Sequence, residues 1–272
     1  MYSGTTLRPL NYFDAWFGAH QKIDRTARRF LGELIADRIA FPSVAQITKF
    51  EGMNGPDGIK RKSPAQHEPW HFYDPANPQD DRLVRLIDFH YRELVKALTS
   101  DDTVRAAFEA AWLAHAIVDG LTPAHHYPYE AELTKLRKDG IASRTSAKEK
   151  LILPGENLPQ KLGNNWKMWG DKGLVATHFA FEWGIAIMAT PLRLNRGRPA
   201  EADLDKISRA GAGALFAERA EAVAALDMYR TFYKWGWTPK LAKAARRELL
   251  PLIVNTVTLA WYGAALASWQ KA

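Results

Sequence analysis

This sequence predicts a single all-α domain, and three observations carry the expectation. Apolar residues recur at helical spacing along most of the chain, and strand-like alternation is scarce. No linker, internal repeat, heptad run or low-complexity tract divides it. A chain of 272 residues that is 47% apolar and 25% charged can bury one sizeable core, and ten tryptophans add bulk to it.

Residues 14–40 read as a first helix, ending near "AFPS". Residues 41–80 are rich in Pro, Gly, Asn and Asp, and the "GPDG" and "NP" stretches mark irregular backbone. "DDRLVRLIDFHYRELVKAL" (80–98) is an amphipathic helix opened by aspartates that suit an N-terminus. Residues 101–121 form the next helix, capped by Asp101 or Asp102. Residues 130–172 are basic and broken by glycines and prolines, so they read as an irregular insertion in the helical body. Helix returns at 174–190, and "LNRGRPAEAD" (194–203) is a turn whose Pro199 and acids start another helix. Helices over 203–230 and 239–270 complete the set, separated by "YKWGWTP". The stretch 249–270 carries no charge over a length that could span a bilayer. Pro251, Asn255, Thr256, Thr258 and Gly263 lower its hydrophobicity, so a buried core helix is expected, with a membrane anchor as the alternative.

A formal charge of +7 favours an anionic partner, such as phosphate esters, nucleic acid or an acidic membrane surface. The absence of cysteine excludes disulfides, thiolate nucleophiles and cysteine-ligated zinc, so His, Asp and Glu must hold any metal. No basic start followed by an apolar run is visible at the N-terminus. The location is left open, either inside the cell or with a leader already trimmed.

The chemistry is concentrated in "AAWLAHAIVDGLTPAHHYPYE" (110–130), where His115 and Asp119 stand one helical turn apart. Val104, Phe108, Ala111, His115 and Val118–Asp119 fall on one stripe, expected to face inward. Burying a carboxylate and an imidazole costs several kcal/mol unless they are paired or metal-bound. Taken alone, the pair suits a His–Asp hydrogen bond inside a bundle. "VATHFAFEWGIAIM" repeats the arrangement with His178 and Glu182, and with His125 the set becomes a cysteine-free group of donors suited to zinc. "GPDGIKRKSPAQHEPWHFYDP" adds Asp57, His67, His71 and Asp74, each of which could equally be a turn-forming or surface residue. His20 on the first helix reads by itself as a packing or surface histidine, and His126 as exposed, with a partner that supports the ligands as the alternative.

Together these residues give the chain a family likeness. It resembles the zinc-dependent phospholipase C and single-strand nuclease superfamily, all-α enzymes with a trinuclear zinc site. The family's hallmark is a helix bearing His-x3-Asp, then Pro and a further His, matched here by His115, Asp119, Pro123 and His125. The bacterial phospholipase branch also has "HFYDP", present at 71–75. It has an aspartate about fourteen residues earlier, where Asp57 stands, and a later His-x3-Glu, matched by His178 and Glu182. The matched elements run from about residue 20 to residue 182.

The resemblance implies a multi-helix bundle of the phospholipase C type holding two or three zinc ions. Asp57, His71, His115 and Asp119 would hold one ion, His125, His178 and Glu182 a second, and His20 with a bridging Asp119 a third. It further implies hydrolysis of phospholipid head groups by metal-activated water, with Asp57 orienting or deprotonating that water. The alternatives are a nuclease on single strands, for which positive charge and base-stacking aromatics speak, and a metal-binding relative without turnover. Two departures stand out. The family completes its third site with the amino group and carbonyl of an N-terminal tryptophan. Here nineteen residues precede His20, the chain starts with Met1, and Trp16 is too close to His20 for that part. The spacer between His125 and His178 is also long. It holds Lys135, Arg137, Lys138, Arg144, Lys148, Lys150, Lys161 and Lys167 with Trp166 and Trp169, and reads either as a lid facing substrate or membrane or as a solvated insertion.

Overall fold

A computed structural model describes residues 1–3, 18–35, 39–63, 69–137 and 144–270. Among these the chain is a single all-α fold with no strand. Helix α1 (Ala19–Ile35) is followed by two short helices, α2 (Val44–Ile47) and α3 (Pro56–Lys62). Then come α4 (Arg82–Thr99) and α5 (Thr103–Gly120), with Asp102 accepting from Arg105 N at 2.9 Å as the N-cap. The insertion supplies α6 (Tyr129–Arg137) and α7 (Leu158–Trp169), and α8 (Leu174–Ala189) returns to the body. Helices α9 (Glu201–Ala210), α10 (Ala212–Ala225), α11 (Met228–Trp235) and α12 (Pro239–Ala244) follow. A π-turn over Ala245–Leu249 then joins α12 to α13 (Leu250–Trp269).

Helix α13 is the hub of the core and packs against α1, α4 and α5. Its uncharged stretch is long and apolar enough to cross a membrane by composition, yet 78% of the most apolar window is buried inside the fold. Trp261 is fully buried and donates its indole N–H to Ala110 O on α5 at 3.0 Å. Helix α5 is itself buried from Ala106 to Gly120 except at Phe108 and Trp112, as expected of a helix that is apolar nearly all round. Val104, expected on the inward stripe, is instead 70% exposed, because it lies in the first turn of α5 where the helix emerges at the surface.

Three expectations are corrected. Residues 41–63 are not irregular: Ser43 and Gln46 form a reciprocal capping box that starts α2, and Pro56 sits in the first turn of α3, where its missing N–H costs nothing. Gly58 permits this packing, since a Cβ there would collide with the Met53 carbonyl. The insertion is also largely helical. Asn157 caps α7 by accepting from Gln160 N at 2.9 Å, and Pro159 lies in its first turn, so proline here starts a helix. A small apolar cluster of Leu133, Leu153, Met168 and Val175 fastens α6 and α7 to α8. Finally, the single helix expected over 203–230 breaks twice: at Gly211, whose φ of +80° ends α9 and starts α10, and at Asp227, whose φ of +48° separates α10 from α11.

Candidate metal centre

Helix α5 carries His115 and Asp119 side by side into the interior, with His115 Nε2 3.3 Å from Asp119 Oδ2. Every other group reaches this pair from a different segment. From α3, Asp57 Oδ1 stands 3.6 Å from His115 Nε2. From α1, His20 Nε2 lies 3.2 Å from Asp119 Oδ1, and its ring stacks on His115 with centroids 4.1 Å apart. From the turn after α5, His125 Nε2 meets Glu182 Oε1 at 2.8 Å, and His178 Nε2 approaches the same oxygen at 3.2 Å from within α8. Three sets each bring ligand atoms within 4.8 Å of one another: Asp57/His115/Asp119, His125/His178/Glu182 and His20/Glu51/His115. All the residues expected to ligate except His71 are in one of these sets. His71 packs its ring against His125 with centroids 5.1 Å apart, facing the same cluster.

The histidines are oriented by hydrogen bonds made through one ring nitrogen. His71 donates through Nδ1 to Pro69 O, and His125 through Nδ1 to His71 O, each at 3.0 Å. Tyr73 N in turn donates to His125 O at 3.1 Å, locking the 69–75 segment to the turn bearing His125. His115 Nδ1 faces Glu51 Oε2 at 3.1 Å. These contacts leave Nε2 of each ring for the cluster, the pattern that carboxylates and carbonyls impose on metal-ligating imidazoles.

Except at His115, the electrostatics match. Burial pushes the His125 imidazole down to about 4, and burial with the nearby Lys60 charge holds His71 well below its usual range, so both are neutral donors at pH 7. Burial opposes ionisation of Asp57 and Asp119, but Lys60 and His115, joined at Asp119 by the Met1 ammonium and His125, together outweigh it and hold both carboxyls well below the usual range. For Glu182, burial is outweighed by the Met1 ammonium together with His178 and the hydrogen bond from His125. His115 moves the other way. Burial would lower it, but Glu51, Asp119 and Asp57 raise it well above its ordinary value.

The donor set of imidazoles and carboxylates, with no sulfur, suits zinc. Buried atoms in the cluster also lack hydrogen-bond partners: His115 Nε2, His20 Nδ1, His178 Nδ1 and Glu51 Oε1. Such atoms are costly unless something compensates them, and a divalent cation fits among them.

Several groups here escaped the sequence reading. The amino end of Met1 reaches the cluster: its amino group lies 2.5 Å from Asp119 Oδ1 and 3.0 Å from Glu182 Oε1, and Met1 O lies 2.8 Å from His20 Nε2. Ala19 N donates to Tyr2 O at 2.8 Å and Gln21 Nε2 to Ser3 O at 2.7 Å, which pins residues 1–3 across the start of α1. Lys60 places its ammonium 2.8 Å from Asp57 Oδ1 and 3.0 Å from Asp119 Oδ2. Lys150 of the insertion donates to the Lys60 carbonyl, so at that point the insertion closes over α3. Other readings are corrected or set aside. His126 is half-buried and donates to Gly120 O at 2.7 Å. Asp74 is exposed and caps its own turn by accepting from Ala76 N. His67, Trp16 and Lys138 lie outside the described residues.

A cleft of about 770 Å3 leads to His125, lined by Trp70, Phe72, Tyr127 and Tyr129 among others. The arrangement can hold metal ions beside a partly aromatic cleft. No family model, curated protein or solved structure matches this chain.

Proposed function

We propose that this chain is a zinc-dependent phosphodiester hydrolase of the phospholipase C type. One observation carries the reading: imidazoles and carboxylates from α1, α3, α5, the turn after α5 and α8 converge with their ligand atoms turned toward shared positions. Asp57, His115 and Asp119, with His71 beside them, would hold one ion, and His125, His178 and Glu182 a second. His20, Asp119 and the amino and carbonyl groups of Met1 would hold a third. Zinc so held would polarise a phosphodiester, lower the pKa of water toward neutrality and neutralise charge on the leaving oxygen.

The chain's own groups divide the remaining work. Both carboxylates are occupied on both oxygens, Asp57 by Lys60 and Ser3, but the Asp119 side chain is 1% exposed whereas that of Asp57 is 19% exposed. Asp57 is therefore the carboxylate that reaches incoming water, holding its hydrogen and taking its proton as the water attacks phosphorus. The aromatic walls of the cleft exclude solvent and bind the apolar part of the substrate. The same walls support a second reading, a single-strand nuclease, since Trp70, Phe72, Tyr127 and Tyr129 could stack bases.

Metal content and turnover are tested together, with a chromogenic phosphocholine ester and single-stranded DNA as substrates. Two or three zinc ions per chain, cleavage of the ester, and loss of both in His115→Ala and Asp119→Asn are expected. Cleavage of DNA alone would favour the nuclease. Zinc without turnover on either substrate would leave a metal-binding relative, and turnover that persists after complete metal removal would overturn the proposal.

A further inference from the structure

Helix α7 is turned inside out. Leu158, Leu162 and Trp166 recur at four-residue spacing, so they share a face, and they are 69, 63 and 69% exposed. The inner side carries amides instead. Asn165 exchanges two hydrogen bonds of 2.9 Å with the backbone of Leu153, and Asn164 donates to Pro154 O at 2.9 Å. Met168 is the one buried residue of the helix. Helix α8 repeats the pattern on its outer side, with Phe179, Trp183 and Ile187 each at least 40% exposed. Trp169 and Phe179 stack with centroids 6.4 Å apart and join the two stripes into one surface. A contiguous apolar patch of this kind marks a docking site.

The surrounding charge indicates what docks there. Lys161, Lys167 and Lys172 are exposed around the stripes, and Asp171 is the only exposed acid between 158 and 189. Beyond Ile187 the chain runs into a cleft of about 660 Å3, where Arg193 and Arg196 meet Lys243, Arg246 and Arg247 with no acid in the lining. A two-fold contact with a second copy would set these cations against themselves. Leucine, isoleucine and tryptophan ringed by lysine and arginine suit the interface of an anionic bilayer.

We propose that the outer face of α7 and α8 is a membrane-docking surface. Its apolar stripes enter the boundary between headgroups and acyl chains, and the adjoining arginines take lipid phosphates. The purpose rests on the phosphodiesterase reading, because His178 and Glu182 lie on the flank of the same α8, about 100° round from the stripe, and docking would bring a lipid substrate to them. Docking itself needs no turnover.

Flotation of the full chain with vesicles tests this. Wild type is expected to float with phosphatidylcholine vesicles containing about 30 mol% phosphatidylglycerol and weakly with phosphatidylcholine alone. Leu162→Glu with Trp166→Glu should cut partitioning at least about tenfold, and Arg246→Glu with Arg247→Glu should remove the preference for anionic lipid. All four positions are exposed, so folding is preserved, and the equally exposed Val104→Glu should float like wild type. Wild type that floats with neither vesicle, or a Leu162/Trp166 variant that floats undiminished, would overturn the proposal. So would a wild-type dimer in solution that this variant disperses, since a second copy would then cover the face. Hydrolysis of a soluble phosphodiester is read in parallel. Intact flotation without hydrolysis sinks the enzymatic reading alone, and hydrolysis without flotation sinks the docking alone.

Discussion

Lys60 is the sharpest test of the metal centre, because a fixed ammonium stands where a divalent cation would also be attracted. Its nitrogen lies 2.8 Å from Asp57 and 3.0 Å from Asp119, with its side chain only 17% exposed. In metal-free protein, Lys60→Met removes one cation from two carboxylates, Asp119 keeping Met1 and Asp57 keeping Ser3, a loss of up to about 3–5 kcal/mol for such a site. At about 2–4 °C per kcal/mol for a chain of this size, the metal-free Tm should fall by up to roughly 6–20 °C. In zinc-loaded protein the sign of the main effect changes. Two unit charges 4 Å apart interact by about 4 kcal/mol near a protein surface, so removing the ammonium removes a repulsion of at least that order against a divalent ion. Zinc then satisfies the carboxylates that Lys60 had satisfied. Calorimetry with zinc and with chelator is the assay. The variant should lose far less Tm with zinc than without, and should bind zinc more tightly at this set. Equal Tm losses in both conditions, with unchanged zinc affinity, would show that Lys60 is a structural ion partner that never meets a metal.

Other consequences follow from the same geometry. Glu51→Gln should weaken zinc binding about 10–100-fold although Glu51 is not proposed as a ligand, since it orients His115 through Nδ1; isothermal titration checks this. Metal-free protein should be most stable between two pH limits, read by unfolding at a series of pH values. The folded-state pKa values of Asp57, Asp119 and Glu182 are depressed, so their contribution is present above the unfolded value of about 4 and is lost as pH falls through the folded values. His115 is raised, so its contribution is complete below about 6.5 and is lost as pH rises through its folded value. Metal-free stability that climbs steadily from pH 5 to pH 3 would contradict the depressed carboxylates. A single glycine placed ahead of Met1 should lower zinc content by one ion, because it moves the amino group away from Asp119 and Glu182. Unchanged stoichiometry would remove Met1 from the ligand set.

What was legible in the sequence was whatever depends on local spacing. His115 with Asp119, and His178 with Glu182, are i,i+4 pairs on long apolar helices, so periodicity alone brings each pair to one face. The long helices α4, α5, α8 and α13 were legible for the same reason. The rest depends on backbone that spacing does not encode. Asp57 and Lys60 are neighbours only because α3 forms, and the prolines and glycines of 41–63 concealed it although Pro56 could have been read as a helix start. Glu51 reaches His115 across 64 positions of sequence. Met1 reaches Asp119 across 118, through a fold-back that no local pattern announces. The inverted stripe of α7 was hidden because sequence shows where apolar residues recur and not which way the helix turns them.

Asp119 explains why these segments act as one unit. Its Oδ1 faces Met1 and His20, while its Oδ2 faces His115 and Lys60, so one carboxylate borders two of the proposed ion positions. Filling either position would fix the orientation of Asp119 for the other and would make metal uptake cooperative. The rigid partners in this arrangement are α5 and α8, which carry their ligands from within the core. His20 likewise comes from the long helix α1, whereas the other ligands come from short elements: residues 1–3, α3, the turn bearing His125, and the 69–75 segment tied to that turn by the Tyr73 and His125 hydrogen bonds. Short elements with few apolar contacts open at lower free energy than core helices. A bound metal would therefore stabilise the periphery of the site more than its centre, and its removal should expose α3 and residues 69–75 to hydrogen exchange while α5 and α8 stay protected.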